Sequence, residues 1–260
     1  MNANSPIAVG LREFPMTLGL VTVCVVLFIW QVLTGVNPSL PNNAELLKWG
    51  ANFLPYTLSN QPWRMISSLF LHIGLLHLIF NMFALYYFGQ VAERMFGSVN
   101  VLMLFLLSGI GGNLLNNYLS IHQVLANDVP AVSAGASGGI MGIGMALLVV
   151  ALSKKAINGL QLSANSLLWV MAINLGYGFF VGGIDNAGHV GGAVTGLLLG
   201  LAYIFQFSGT TTPMSSNQAL YQPKVWAVYG IISLLFGLIF WQLHQQFMNL
   251  LTSQYAQMNI

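Results

Sequence analysis

The stretch LFLHIGLLHLIFNMFALYYFG, residues 69–89, carries no formal charge from end to end, yet His72, His77 and Asn81 interrupt it. About 20 predominantly apolar residues cross a bilayer, so the stretch reads as most of a membrane span over 65–89. Its polar groups then need partners, because an unpaired polar group in hydrocarbon costs several kcal/mol. Histidines placed there point to function by default. His77 and Asn81 lie one turn apart on one helical face, whereas His72 sits roughly 140° around the helix from His77 at 100° per residue. The pair is a candidate site; His72 is expected to hydrogen-bond the connection that precedes the span.

The rest of the chain has the same solvent. Hydrophobic residues make up 56% of the 260 and charged residues only 5%, against about 25% charged in a soluble domain. The expected fold is an all-α polytopic membrane protein with spans near 16–36, 65–89, 99–120, 135–152, 166–181, 187–207 and 226–247. Residues 1–15 show no cleavage pattern after them and no Arg-rich transit character, so the first span is read as retained and a bacterial inner membrane is favoured over an organelle. Of the seven Lys/Arg, Arg12, Arg94, Lys154, Lys155 and Lys224 fall on one side and Lys48 and Arg64 on the other. That bias places residues 1–15 in the cytoplasm and the connection 37–64 outside. The connection is long for a loop. Its Pro, Asn and Trp content, with the apolar pieces Leu46-Leu47 and Phe53-Leu54, predicts a structured loop at the membrane surface. Residues 208–225 read as a cytoplasmic linker and 248–260 as a tail. No repeat or low-complexity segment divides the chain. No basic run marks nucleic-acid binding, and the lone Cys24 excludes a disulfide framework and a Cys-based metal site.

The seven Lys/Arg and five Asp/Glu all fall in termini, loops or span edges, so intramembrane chemistry is left to neutral groups. The fourth span opens on AGASGG, residues 134–139, with Ser137 among glycines; the sixth opens on NAGHVGGAVTG, residues 186–196, with His189. Spans two, four and six run in one direction, which puts Ser137 and His189 near their outer ends. Counted from Met65 at 1.5 Å per residue, His77 and Asn81 lie about 18 and 24 Å along their helix, and they rise toward Ser137 if Met65 belongs to the loop. His189, Gly192 and Gly196 share a stripe, and Gly135/Gly139 and Gly138/Gly142 form small-xxx-small pairs that let backbones approach. A serine activated by a histidine needs contact near 2.6–3.2 Å, which such packing allows. A helix start gives Ser137 unpaired N–H groups and the positive end of a dipole; donors from His77 and Asn81 would complete an oxyanion pocket.

Each piece also has a structural reading. A lone Ser among glycines usually packs helices, and Ser133 is read as such a dispensable serine. Asn81 alone would bond a helix backbone. GIGGN at 109–113 lacks the strand and Lys of a phosphate loop and reads as helix packing. Asp185, one turn before His189, is expected to be an exposed loop residue poorly aimed at the imidazole. His122 and His244 are expected at interfaces.

Together, Trp63-Arg64, the H-x4-H-x3-N of His72, His77 and Asn81, Glu93-Arg94, the G-x-S-G at 135–138 and the H-x2-G-x3-G from His189 resemble, in order, the rhomboid family of intramembrane serine proteases. The resemblance implies a six-helix catalytic core over 16–207 with a C-terminal seventh span, a Ser137–His189 dyad, and an oxyanion pocket of His77, Asn81 and the Ser137 backbone N–H. It implies single-span transmembrane substrates entering sideways from the lipid, no cofactor or metal, and leaves oligomeric state open. Two positions depart from the pattern: Gly188 stands where Ala is common, and Met141 where some bacterial members have a Tyr stacked on the histidine. A non-catalytic relative that binds transmembrane clients is the alternative, although such relatives generally lack the Ser or His. A transporter is a third reading, which neither repeat symmetry nor an intramembrane carboxylate supports.

Overall fold

The computed structural model describes residues 13–126, 128–180, 185–207 and 223–258. Arg12, the N-terminal residues 1–12, the end of the expected fifth span at 181, residues 208–222 of the linker and 259–260 lie outside the described residues. The elements are α1 (Pro15–Leu33), α2 (Asn43–Trp49), α3 (Leu54–Thr57), α4 (Arg64–Ser67) with a 3-10 turn (Ser68–Phe70), α5 (Leu75–Phe96), α6 (Ser98–Leu125), α7 (Ser137–Leu152), α8 (Ala164–Phe180), α9 (Asn186–Phe207) and α10 (Pro223–Met258). All seven expected spans are helices, and the protein is a multi-pass membrane protein. Among the described residues five of them, α1, α5, α6, α9 and α10, are long and apolar enough to cross a membrane unaided. The remaining two, α7 and α8, have 16 and 17 residues.

α7 is the centre of the bundle. Thirteen of its residues, among them Ile140, Ile143, Leu147 and Val150, are buried, on every side of the helix, the pattern of a helix enclosed by others. At 1.5 Å per residue it rises about 24 Å, less than a hydrocarbon layer of about 30 Å, so at least one of its ends lies within the layer. α9 packs beside it in parallel. A methyl group on Gly192 would strike the Gly138 carbonyl and lie 3.0 Å from Gly138 Cα; one on Gly196 would lie 2.5 Å from Gly142 Cα; one on Gly200 would lie 2.9 Å from Ala146 Cα. The contact advances by four residues on both helices at once. α6 closes the trio, with Gly111 against Gly191 and Gly112 against Gly188, so GIGGN is helix packing as its context predicts. Phe88 of α5 meets Gly144 of α7, and the N-terminal ends of α5, α7 and α9 therefore gather at one end of the bundle.

The second span is where the expected boundary differs most. Its helix begins at Leu75, because Gly74 has φ +108°, a left-handed conformation that an α-helix cannot contain. There Leu75 N–H donates to the Pro38 carbonyl at 2.7 Å, and a side chain on Gly74 would lie 2.7 Å from the Ser39 carbonyl. Met65 thus belongs to the connection, and His77 and Asn81 sit only about 3 and 9 Å from the helix start.

The connection before α4 is structured, as expected, but its organiser is a residue the charge count treats as a surface marker. Arg64 is 5% exposed; its guanidinium donates to the Leu47 and Ala51 carbonyls at 2.8 and 2.9 Å and to Gln61 Oε1 at 2.6 Å, between the Tyr56 and Trp63 rings. A capping box of Asn42 and Glu45 starts α2 and left-handed Gly50 ends it. At the other end of the bundle the buried Glu93 carboxylate accepts from the N–H groups of Met16 and Thr17, both at 2.8 Å, and from the Thr17 hydroxyl. It thereby caps α1, whose own cap position, Phe14, has no acceptor. The neighbouring Arg94–Glu13 pair is exposed on both sides and contributes little. α10 extends well past the expected 226–247. Tyr229 donates to Asn100 Oδ1 at 2.7 Å, and His244 Nδ1 donates to the Leu58 carbonyl at 2.5 Å, so the seventh helix is tied to the core and to the connection.

Candidate active site

Ser137 is the first residue of α7, and the residue before it, Ala136, provides no side-chain cap. The first i to i−4 bond of the helix runs from Ile140 N–H to the Ala136 carbonyl, so the N–H groups of the first turn, which have no partner within the helix, are left for something else to use. Helix starts normally carry Ser, Thr, Asp or Asn at that cap; an alanine there keeps the donors open. The segment leading to Ser137 is held from one side by backbone alone. Asn52 and Ser133 exchange two hydrogen bonds at 2.9 Å, and Gly135 N–H donates to the Ser68 carbonyl at 2.9 Å.

His77 faces this segment. Its Nδ1 accepts from Ile73 N–H at 3.3 Å; a nitrogen that accepts is unprotonated, so in the neutral ring the proton lies on Nε2. That edge borders the space beside Gly135. A side chain on Gly135, itself at φ +152°, would lie 2.8 Å from His77 Cε1, 3.3 Å from His77 Nε2 and 3.6 Å from Ser137 Oγ. One small volume beside Gly135 is therefore bordered by a hydroxyl and an imidazole N–H, and a cavity there is lined by His77, Gly135, Ser137, Gly138, Asn113 and Asp185, among others.

His189 lies in the first turn of α9, 4% exposed, on the helix whose Gly188 and Gly192 touch Gly138. Among the described residues neither of its ring nitrogens has a hydrogen-bond partner. The Ser137–His189 hydrogen bond of an activated nucleophile is thus not formed here; such bonds are often long or misaligned without substrate and tighten in its complex. Asn81 is buried, and its amide donates to the His77 carbonyl of its own helix at 3.1 Å, one turn below the cavity.

Two further expectations change. His72 is buried with its ring 5.4 Å from that of His77, and among the described residues its ring nitrogens have no hydrogen-bond partner of good geometry, so the expected bond to the preceding connection is not formed. The turn at Gly74 removes His72 from the helix and folds it inward. Asp185 is half-buried rather than exposed. Its Oδ1 accepts from Gly188 N–H at 2.7 Å and its Oδ2 from the Ser133 hydroxyl at 2.6 Å, so the carboxylate caps α9 and binds no imidazole. Sequence reasoning also passes over Asn113, Asn116 and Asn117. Asn113 donates to the Met65 carbonyl and to Ser68 Oγ, both at 2.9 Å; Asn116 and Asn117 bond Asn52 at 3.3 Å. Their i, i+3, i+4 spacing on one helix face is the signal that marks this polar stripe.

A family model described as the Rhomboid domain matches residues 59–206, a range that includes His77, Asn81, Ser137, Asp185 and His189. The chain is 34% identical over 213 residues to the rhomboid protease GluP of Bacillus subtilis, covering 73% of this chain and 40% of that protein. It is 32% identical over 212 residues to the rhomboid protease AarA of Providencia stuartii, covering 75% and 74%. It is 35% identical over 173 residues to RHOMBOID-like protein 6, mitochondrial, of Arabidopsis thaliana, covering 65% and 53%. The chain therefore spans well under two thirds of the Bacillus and Arabidopsis relatives' lengths.

Proposed function

Because the chain belongs to the rhomboid family, we propose that it is a serine endopeptidase that cuts the transmembrane segments of single-span membrane proteins. The observation that carries this reading is that Ser137 Oγ and the protonated edge of His77 both border the volume beside Gly135, which the proposal assigns to the substrate's carbonyl oxygen. In the proposed reaction Ser137 Oγ attacks the scissile carbonyl carbon while neutral His189 takes the hydroxyl proton. Negative charge then develops on the carbonyl oxygen. His77 Nε2–H and the open first-turn N–H groups of α7 donate to it, and the positive end of the α7 dipole favours it. Asn81 adds a donor when its amide turns from the His77 carbonyl. His189 next protonates the leaving amine, the C–N bond breaks, and water, activated by the same histidine, hydrolyses the acyl-enzyme.

Residues 16–207 form the proposed catalytic core, 208–222 a linker that stops short of the expected 225 because α10 begins at Pro223, and 226–247 the span part of α10. The Lys/Arg bias places the N-terminus in the cytoplasm and the site near the outer face of the plasma membrane, where water reaches it and single-span substrates enter from the lipid. Reconstituted protein should cleave a model single-span substrate and react with a fluorophosphonate, both lost in Ser137→Ala. A wild-type protein that binds such segments without cutting them, and takes no label, would instead be a non-catalytic binder.

A further inference from the structure

The mechanism above uses Ser137 and His189, which stand on different helices whose relative position decides whether a proton passes between them. Resting on that reading, we infer that Asp185 and Ser133 form a strap that sets this position, with Asp185 acting as a positioning residue for His189.

Asp185 immediately precedes α9, and its two carboxylate oxygens have different duties. Oδ1 accepts from Gly188 N–H at 2.7 Å, and the Asp185 carbonyl accepts from His189 N–H at 3.1 Å. These bonds fix the first turn of α9, hence the backbone from which the His189 ring projects. Oδ2 accepts from the Ser133 hydroxyl at 2.6 Å, a short charge-assisted bond. Ser133 lies four residues before Ser137 in the segment pinned to Asn52 and Ser68. One side chain therefore spans from the start of the histidine's helix to the approach of the nucleophile.

Gly188 shows how closely the carboxylate folds back. A methyl group there would lie 2.6 Å from Asp185 Oδ2 and 2.9 Å from its carboxylate carbon, so the glycine departing from the family's usual alanine is the residue that makes room. The glycine packing of α7 on α9 sets how far apart the helices stand. The strap adds a directional, charge-assisted bond at the end where the chemistry occurs.

The test uses the full chain in detergent or vesicles, with Ser133→Ala, Asp185→Ala, Asp185→Asn and the Ser133→Ala/Asp185→Ala double variant, assayed well below their unfolding midpoints. Asp185→Ala and Ser133→Ala should each lower kcat on the order of 10-fold through misplacement with KM little changed. The double variant should be no slower than Asp185→Ala, since that variant already removes the Ser133 bond together with the Gly188 cap. Asp185→Asn, which still accepts from Gly188 N–H and bonds the Ser133 hydroxyl, should restore turnover to within about threefold of wild type. Amide exchange supplies a readout independent of catalysis: residues 131–136 and 186–190 should exchange faster in both alanine variants and not in Asp185→Asn. Wild-type kcat in Asp185→Ala, multiplicative losses in the double variant, or unchanged exchange at 131–136 would each overturn the strap. A wild-type protein inactive toward substrate and probe would count against the proposed function, while the exchange data would still decide the strap.

Discussion

The glycine contact between α7 and α9 offers a sharp perturbation, Gly192→Ala. The added methyl would strike the Gly138 carbonyl and lie 2.8 Å from its carbon and 3.0 Å from Gly138 Cα. Ordinary carbon contacts need about 3.5–4.0 Å, and the atoms struck belong to the backbone of the central helix, which has no rotamer to yield. The helices must then separate by something on the order of 1 Å. Overpacking typically costs about 1–3 kcal/mol, and a backbone clash in the centre of the bundle belongs at the upper end. Gly138 is adjacent to Ser137 and Gly192 lies within one turn of His189, so the separation reaches both; a misplacement of about 1 Å costs up to roughly 10²-fold in rate. Gly237 on α10 is the control, since nothing among the described residues lies within 4 Å of a methyl there, and alanine in an exposed helix gains up to about 1 kcal/mol over glycine. Thermal unfolding in detergent and the rate of fluorophosphonate labelling measure the two effects. A Gly192→Ala protein with the wild-type unfolding midpoint and labelling rate would refute the close approach on which the site is built.

Ser137→Ala and His189→Ala should each abolish cleavage of a model transmembrane substrate while leaving insertion and thermal stability nearly intact, as cleavage assays beside unfolding curves will record. Loss of one oxyanion donor costs about 10²–10³ in turnover, so His77→Ala should keep weak, measurable cleavage; Asn81→Ala should lose less, because its amide is bonded to its own helix in the unliganded state. Equal turnover in wild type and His77→Ala would remove His77 from the pocket. Arg64→Ala should destabilise the protein by about 3 kcal/mol, since it strips charged hydrogen bonds from two carbonyls, and proteolysis of residues 43–63 should accelerate; an unchanged cleavage pattern would deny Arg64 its role as organiser.

The helices are legible in the sequence because a bilayer demands long apolar runs, and the resemblance is legible because its polar residues are few and ordered. Helix ends are not. Leu69 and Phe70 are as apolar in a 3-10 turn, and Leu71 in extended chain, as in a span, and what stops α5 at Leu75 is the backbone of Gly74 and a bond to Pro38, 37 residues earlier in the chain. The same turn reverses the expectation for His72. The α7–α9 glycines come together as their spacing predicts, because parallel helices of one register bring equivalent turns level; His77 borders the approach to α7 only because its own helix begins at Leu75. Asp185 and Arg64 escape sequence reasoning for one reason: a charged side chain in a loop looks solvated until its partners, Ser133 in one case and two distant carbonyls in the other, are known. Asn113, Asn116 and Asn117 were open to reading as a polar stripe on a helix face, but their partners at Asn52, Met65 and Ser68 lie in a connection whose shape only the fold supplies.

The most direct measurement of the central claim is the site of covalent labelling. Purified full-length protein treated with a fluorophosphonate and digested for mass spectrometry should carry the adduct on Ser137. The label should be absent from Ser137→Ala and His189→Ala and present, though slower to form, in His77→Ala. An adduct on Ser133 or any other serine, or labelling of Ser137 that proceeds at the wild-type rate without His189, would contradict a Ser137–His189 nucleophile.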